Sequence, residues 1–183
     1  MQDTHGWTLI ELLIVLALGA ILAALATPSL RRMAARNSLA TATNDLAGSI
    51  RLARISAIDK GRSVSLCAGN VRAGCTGHWS EGSWLVFVDA DRDGQPDEEE
   101  ALLRQTSADT SNSLRLDGNG PFRQTVVFGP LGIPRRLSGA FAAGSLRVCM
   151  PLDGMDNAVK IIMSISGRLR THRLNLDGEC PPL

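Results

Sequence analysis

The stretch Trp7-Thr-Leu-Ile-Glu11-Leu-Leu-Ile-Val-Leu-Ala-Leu-Gly-Ala-Ile-Leu-Ala-Ala-Leu-Ala-Thr-Pro28 decides the fold. It is apolar apart from one carboxylate, Glu11. As a helix rising ~1.5 Å per residue it is roughly 33 Å long, enough to cross a hydrocarbon core of about 30 Å. A carboxylate inside such a span costs on the order of 2.5–3.5 kcal/mol by insertion scales, so it is rarely kept for structure alone. A secretory signal would carry a basic leader and a shorter apolar core. Residues 1–6 hold no Lys or Arg, and a plain anchor has no need of Glu11.

Gly6, Thr8, Leu9, Ile10 and Glu11, followed by the long apolar run, resemble the type III signal of type IV pilins and secretion pseudopilins. The resemblance implies a leader over 1–6, cleavage by a membrane-embedded prepilin peptidase between Gly6 and Trp7, and methylation of the new N-terminus. It further implies that Glu11 neutralises the N-terminal amine of a neighbouring subunit in a filament. Pro28 falls where pilins also carry a proline.

Working outward, the helical pattern outlasts the membrane. Leu39, Thr43, Leu46, Ile50, Ala53 and Ala57 recur every three or four residues, and Gly61 supplies a stop. One helix is therefore expected over about 7–60, with the membrane and assembly half at 7–28 and a soluble half at 29–60. Pro28 should kink or loosen it. Arg51 and Arg54 read as a solvated face.

From 61 to 183 short strand-like runs alternate with Gly and Pro clusters: 63–67, 84–88, 101–104, 114–116, 125–128, 146–149, 159–166 and 173–176. The fold class is α+β: one long N-terminal helix, its first half transmembrane, packed on antiparallel β-sheet. This body resembles the GspH/FimT group of minor pilins and pseudopilins. The matching residues are Cys67, Cys75 and Trp79, the run Gly82-Ser-Trp-Leu-Val-Phe-Val-Asp89, Asp91-Arg-Asp-Gly94, Glu100, Leu102-Leu-Arg104, Phe128-Gly-Pro-Leu-Gly132 and Ser166-Gly-Arg-Leu-Arg170.

Composition narrows the function. Net charge is +1, so bulk charge names no partner. Tyr is absent and aromatics make up 4%, which argues against base stacking on single strands. All four cysteines, Cys67, Cys75, Cys149 and Cys180, follow the anchor. An even count in an exported domain reads as two disulfides with three possible pairings. Cys67–Cys75 would close a short turn-rich loop, and Cys149–Cys180 would tie the tail to a strand. These two are favoured for that reason, and the competing reading, zinc, is set aside because the spacings do not match a paired C-x-x-C pattern. Arg31, Arg32 and Arg36 follow the span, and the positive-inside tendency would hold them in the cytoplasm. Long domains cross largely regardless of charge. The cysteines and the resemblance both put the globular domain in the periplasm, on a single-pass inner-membrane subunit that later joins a filament.

Two places carry candidate binding chemistry. Asp89, Asp91, Asp93, Asp97 and Glu100, with Gly94, match the ligand positions of an EF-hand calcium loop. Strand-like runs flank it where an EF-hand has helices, so it reads first as a polar hairpin tip, and no metal or cofactor is assigned. The tail segment Gly167-Arg168-Leu169-Arg170-Thr171-His172-Arg173 is the second. In an extended chain Arg168 and Arg170 share a face while Leu169 turns inward. His172 would join them, and Arg173 could reach that face from a bulge. Guanidinium groups fork onto phosphate oxygens, giving weak, salt-sensitive contact with double-stranded DNA. The G-R-x-R run resembles the DNA-contacting motif of competence-type FimT minor pilins.

No nucleophile elbow, zinc motif or phosphate loop is present, and His5, His78 and His172 are isolated in sequence, so no catalytic role is expected. Two functions from different classes remain. One is a type IV pilus subunit that captures DNA for uptake in natural transformation. The other is a type II secretion pseudopilin (protein H) that touches no DNA.

Overall fold

A computed structural model describes residues 8–110, 113–154 and 156–183. Gly6 and Trp7, the expected processing residues, lie outside them. Helix α1 spans Leu9–Lys60. Thr8 is its N-cap, and Glu11 completes a capping box by reaching back to the Thr8 backbone N–H. Gly61 ends it in the left-handed conformation (φ 61°), where an L side chain would be strained. The helix passes through Pro28 without a break. The Thr27 hydroxyl bonds the Ala23 carbonyl and the Ser29 hydroxyl the Ala26 carbonyl, both at 2.8 Å.

The two halves of α1 differ in what they bury. Leu9, Leu12, Ile14, Leu18 and Leu22 are all more than half exposed. Burial starts at Ala35 and continues through Leu39, Thr43, Leu46, Ile50, Ala53 and Ala57, the face read from the periodicity. Ten strands follow among the described residues: β1 (Val64–Asn70), β2 (Gly74–Cys75), β3 (Ser83–Val88), β4 (Leu102–Ser107), β5 (Arg115–Gly118), β6 (Val126–Phe128), β7 (Pro134–Arg135), β8 (Gly144–Cys149), β9 (Ala158–Met163) and β10 (Leu169–Leu174).

The strands form two antiparallel sheets. One runs β4-β3-β1-β6-β7, with β2 paired to β1, and the other runs β10-β9-β8-β5. Helix α1 touches β1, β3 and β6 of the first and β8 and β9 of the second, so a single core joins them. The largest buried groups in it include Trp84, Phe122, Phe128, Leu46 and Ile50. Trp84 Nε1 donates to Ser49 Oγ at 2.8 Å, a buried bond from the first sheet to the helix.

Three expectations need correction. The 159–166 run is too long for one strand: β9 ends at Met163, and Ser164 to Arg168 form a turn in which Ser164 N–H reaches the Arg168 carbonyl and Gly167 N–H the Ser164 carbonyl. The last strand is Leu169–Leu174 and not 173–176, because Asn157 Oδ1 takes the Leu176 N–H at 2.7 Å and turns the chain away from the ladder. Arg54 is half-buried and donates to the Gly167 carbonyl at 3.2 Å, so it braces that turn where a purely solvated residue was expected.

Candidate functional site

Both cysteine pairs are joined as favoured, Cys67–Cys75 with Cα atoms 5.5 Å apart and Cys149–Cys180 with 5.8 Å. The second anchors the tail to the end of β8. Asn157, fully buried, donates to the carbonyls of Met150 and Glu179, each at 3.1 Å, and closes the same corner.

Strand β10 is an edge strand, which leaves one row of its backbone groups and its outer side chains unpaired. Its register with β9 is regular from Leu169↔Met163 to Leu174↔Ala158. Side chains therefore alternate strictly. Leu169 packs against the core. Arg170 and His172 point the other way, opposite Ile162 and Lys160 on β9. Arg168 sits at the end of the turn, exposed. Arg170, His172 and Lys160 thus share one face, and none of them has a carboxylate within ion-pair distance among the described residues. Arg147, next in that cross-strand row, is buried and tied to Asp117 at 3.2 Å.

Arg173 is not on that face. With no bulge in β10 it falls on the Leu169 side and lines a groove with Thr171 and the α1 residues Arg36, Asn37, Ala40 and Asn44. Lys160 is the residue the sequence did not offer. Its pairing with His172 depends on register between two strands, and nothing local to Lys160 carries that information.

Glu11 is engaged at the helix start: Oε2 accepts from Thr8 N at 3.4 Å and from Thr8 Oγ1 at 3.3 Å.

The acidic segment leaves β3 as a tight loop. One oxygen each of Asp89, Asp91 and Asp93 lie within 4.8 Å of one another. Glu100 folds back over the loop, accepting from Ala90 N–H at 2.6 Å and from Asp97 N–H at 3.4 Å. Burial raises the pKa of Asp89 above the ordinary carboxylate value. The Ser65 hydroxyl and the backbone amides of Arg92 and Gly94 oppose this, and the Asp91 charge adds to it. Glu100 is also raised, first by burial.

Residues 42–174 match the family described as type II transport protein GspH, and residues 1–27 match the prokaryotic N-terminal methylation motif. No curated protein matches. The type IV minor pilin FimU of Pseudomonas aeruginosa is similar in fold, with TM-score 0.56 and 19% identity over 80% of this chain and 94% of that one. The minor pseudopilin EpsH of the Vibrio cholerae type 2 secretion system is also similar, with TM-score 0.50 and 14% identity over 74% of this chain and 97% of that one. The GspH match covers most of the globular domain and the methylation motif covers the apolar start of α1. The chain therefore belongs to the GspH family and is a minor pilin or pseudopilin with the pilin-like fold.

Proposed function

We propose that this subunit is anchored in the inner membrane by α1 with its globular domain in the periplasm, joins a type IV pilus after cleavage between Gly6 and Trp7, and captures double-stranded DNA. The apolar, uncovered half of α1 and the two disulfides support that placement. The observation that carries DNA capture is the exposed face of β10, where Arg170 and His172 stand beside Lys160 with Arg168 at its end. Unpaired cations on one face meet phosphates in a sequence-independent way. The contacts are few, so binding is weak and steeply salt-dependent. In the assembled filament Glu11 exchanges its own capping role for the neighbouring subunit's amine.

The second reading is a type II secretion pseudopilin without DNA contact. It is favoured by the match of residues 42–174 to the type II transport family GspH.

A gel shift separates the two. A soluble form starting at Ser29 keeps every buried residue of α1, which begin at Ala35. It should retard double-stranded DNA at low salt with little sequence preference. Arg168→Ala with Arg170→Ala should abolish the shift, each lost contact lowering the salt slope by about one unit. Arg31→Ala should change nothing. A double variant that binds like the parent would reduce the cluster to a solvated edge. A parent that does not bind at low salt would hand the function to the secretion reading.

A further inference from the structure

The acidic loop between β3 and β4 holds a contradiction. Asp89 has no exposed surface. Its Oδ2 accepts from the Ser65 hydroxyl, but Oδ1 is buried without a hydrogen-bond partner. The nearby amides of Arg92 and Gly94 approach the carboxylate without a well-aligned bond to that oxygen. No Lys or Arg forms an ion pair with Asp89 among the described residues, and the guanidinium of Arg92 is turned to Ser63 Oγ at 2.8 Å. Buried carboxylates are normally paired or bound to a metal. Here the charges that do gather around Asp89, those of Asp91 and Asp93, have the same sign. Asp89 is thus a buried carboxylate with one open oxygen and, within the cluster, only like charges beside it.

We infer that Asp89, Asp91 and Asp93 form a divalent-cation site that takes Ca²⁺. Their oxygens lie within 4.8 Å of one another, about the distance across a shell with Ca–O bonds of roughly 2.3–2.6 Å. All the donors are oxygens, which selects Ca²⁺ over the metals that seek imidazole or thiolate. Mg²⁺ demands near-ideal octahedral geometry and sheds water reluctantly, whereas a loop with one buried and two exposed carboxylates suits a flexible Ca²⁺ shell. The frame is firm where it needs to be. Asp89 N–H is bonded to the Ser63 carbonyl, Thr125 Oγ1 to the Gly94 carbonyl, and Cys75 N–H to Gln95 Oε1. Gly94 has φ 80°, in the left-handed region that favours glycine, so the turn that follows the three aspartates is built around it. The acidic loop and the disulfide-bonded β1–β2 hairpin would then be joined through the bonds of Gln95 to Cys75.

The test uses the full chain in detergent micelles, stripped with EDTA and titrated with CaCl₂ by calorimetry, with MgCl₂ in parallel. The expected result is one Ca²⁺ per chain, a dissociation constant on the order of 10⁻⁵–10⁻³ M, and a melting temperature that rises with CaCl₂. Asp91→Asn with Asp93→Asn, both at exposed positions, should weaken Ca²⁺ binding by more than about tenfold. Without calcium this variant should melt no lower than the parent. Glu98→Gln with Glu99→Gln removes as much charge outside the cluster and should leave binding intact. Asp89→Asn should melt higher than the parent without calcium and lose the calcium-dependent rise. Absence of heat and of any melting shift up to about 10 mM CaCl₂, equal affinity for Mg²⁺, or equal loss in the Glu98 and Glu99 variant would each overturn the inference.

Discussion

Removing the Cys149–Cys180 bond should cost more stability than removing Cys67–Cys75, and the difference can be worked from the chain. The bonds close segments with sequence separations of 31 and 8. In the chain-entropy account the loss is about 2.1 cal/mol/K plus 1.5R ln n, which gives ~3.7 kcal/mol for the longer loop and ~2.5 kcal/mol for the shorter at 25 °C. The native state supports the same ranking. The long bond fixes a tail whose other ties are few: Asn157 to Glu179 and Leu176, and Arg123 to the Leu183 carbonyl at 3.4 Å. The short bond sits in a loop that Gln95 and backbone bonds to Ala68 already hold.

The assay is denaturant unfolding of the soluble form beginning at Ser29, followed by tryptophan fluorescence. Trp79 and Trp84 are both buried and report the core. Cys149→Ala with Cys180→Ala should lower the midpoint by ~3.7 kcal/mol equivalent, or roughly 7–15 °C in melting temperature for a domain of this size. If loss of the short bond costs as much as loss of the long one, loop entropy does not govern this domain, and the reasoning fails.

Two further predictions are independent of that one. Ser49→Ala strips the partner from the buried Trp84 N–H and should cost about 1–3 kcal/mol, and much of that loss should vanish in a Trp84→Phe background; an unchanged cost there would mean the bond is not the source. Mass spectrometry of protein from its host should find a mature, methylated chain starting at Trp7, with a bulky residue at Gly6 blocking cleavage and Glu11→Ala still cleaved but poorly assembled; an intact Met1 would refute it.

The structure divides cleanly between what a one-dimensional pattern can carry and what it cannot. The buried face of α1 was legible because helical spacing is local: Leu39, Leu46, Ile50 and Ala53 announce themselves without knowledge of their partners. The cysteine pairs were legible because the loop between the first two is short and turn-rich, and the last lies near the end of the chain. The β10 surface was only half legible. Alternation correctly set Leu169 against Arg170, but the bulge invoked to bring Arg173 across does not exist. The cation that completes the face, Lys160, comes from a neighbouring strand whose register no local signal gives. The acidic loop failed in another way. Its ligand spacing was visible, and the wrong flanking structure argued against it. What reopens the question is the burial of Asp89 with one oxygen unpaired, a property of the place where the chain leaves β3 beside Ser63 and Ser65 at the start of β1. Spacing can name ligands, but only packing shows which of them has been taken out of water and left without a counter-charge.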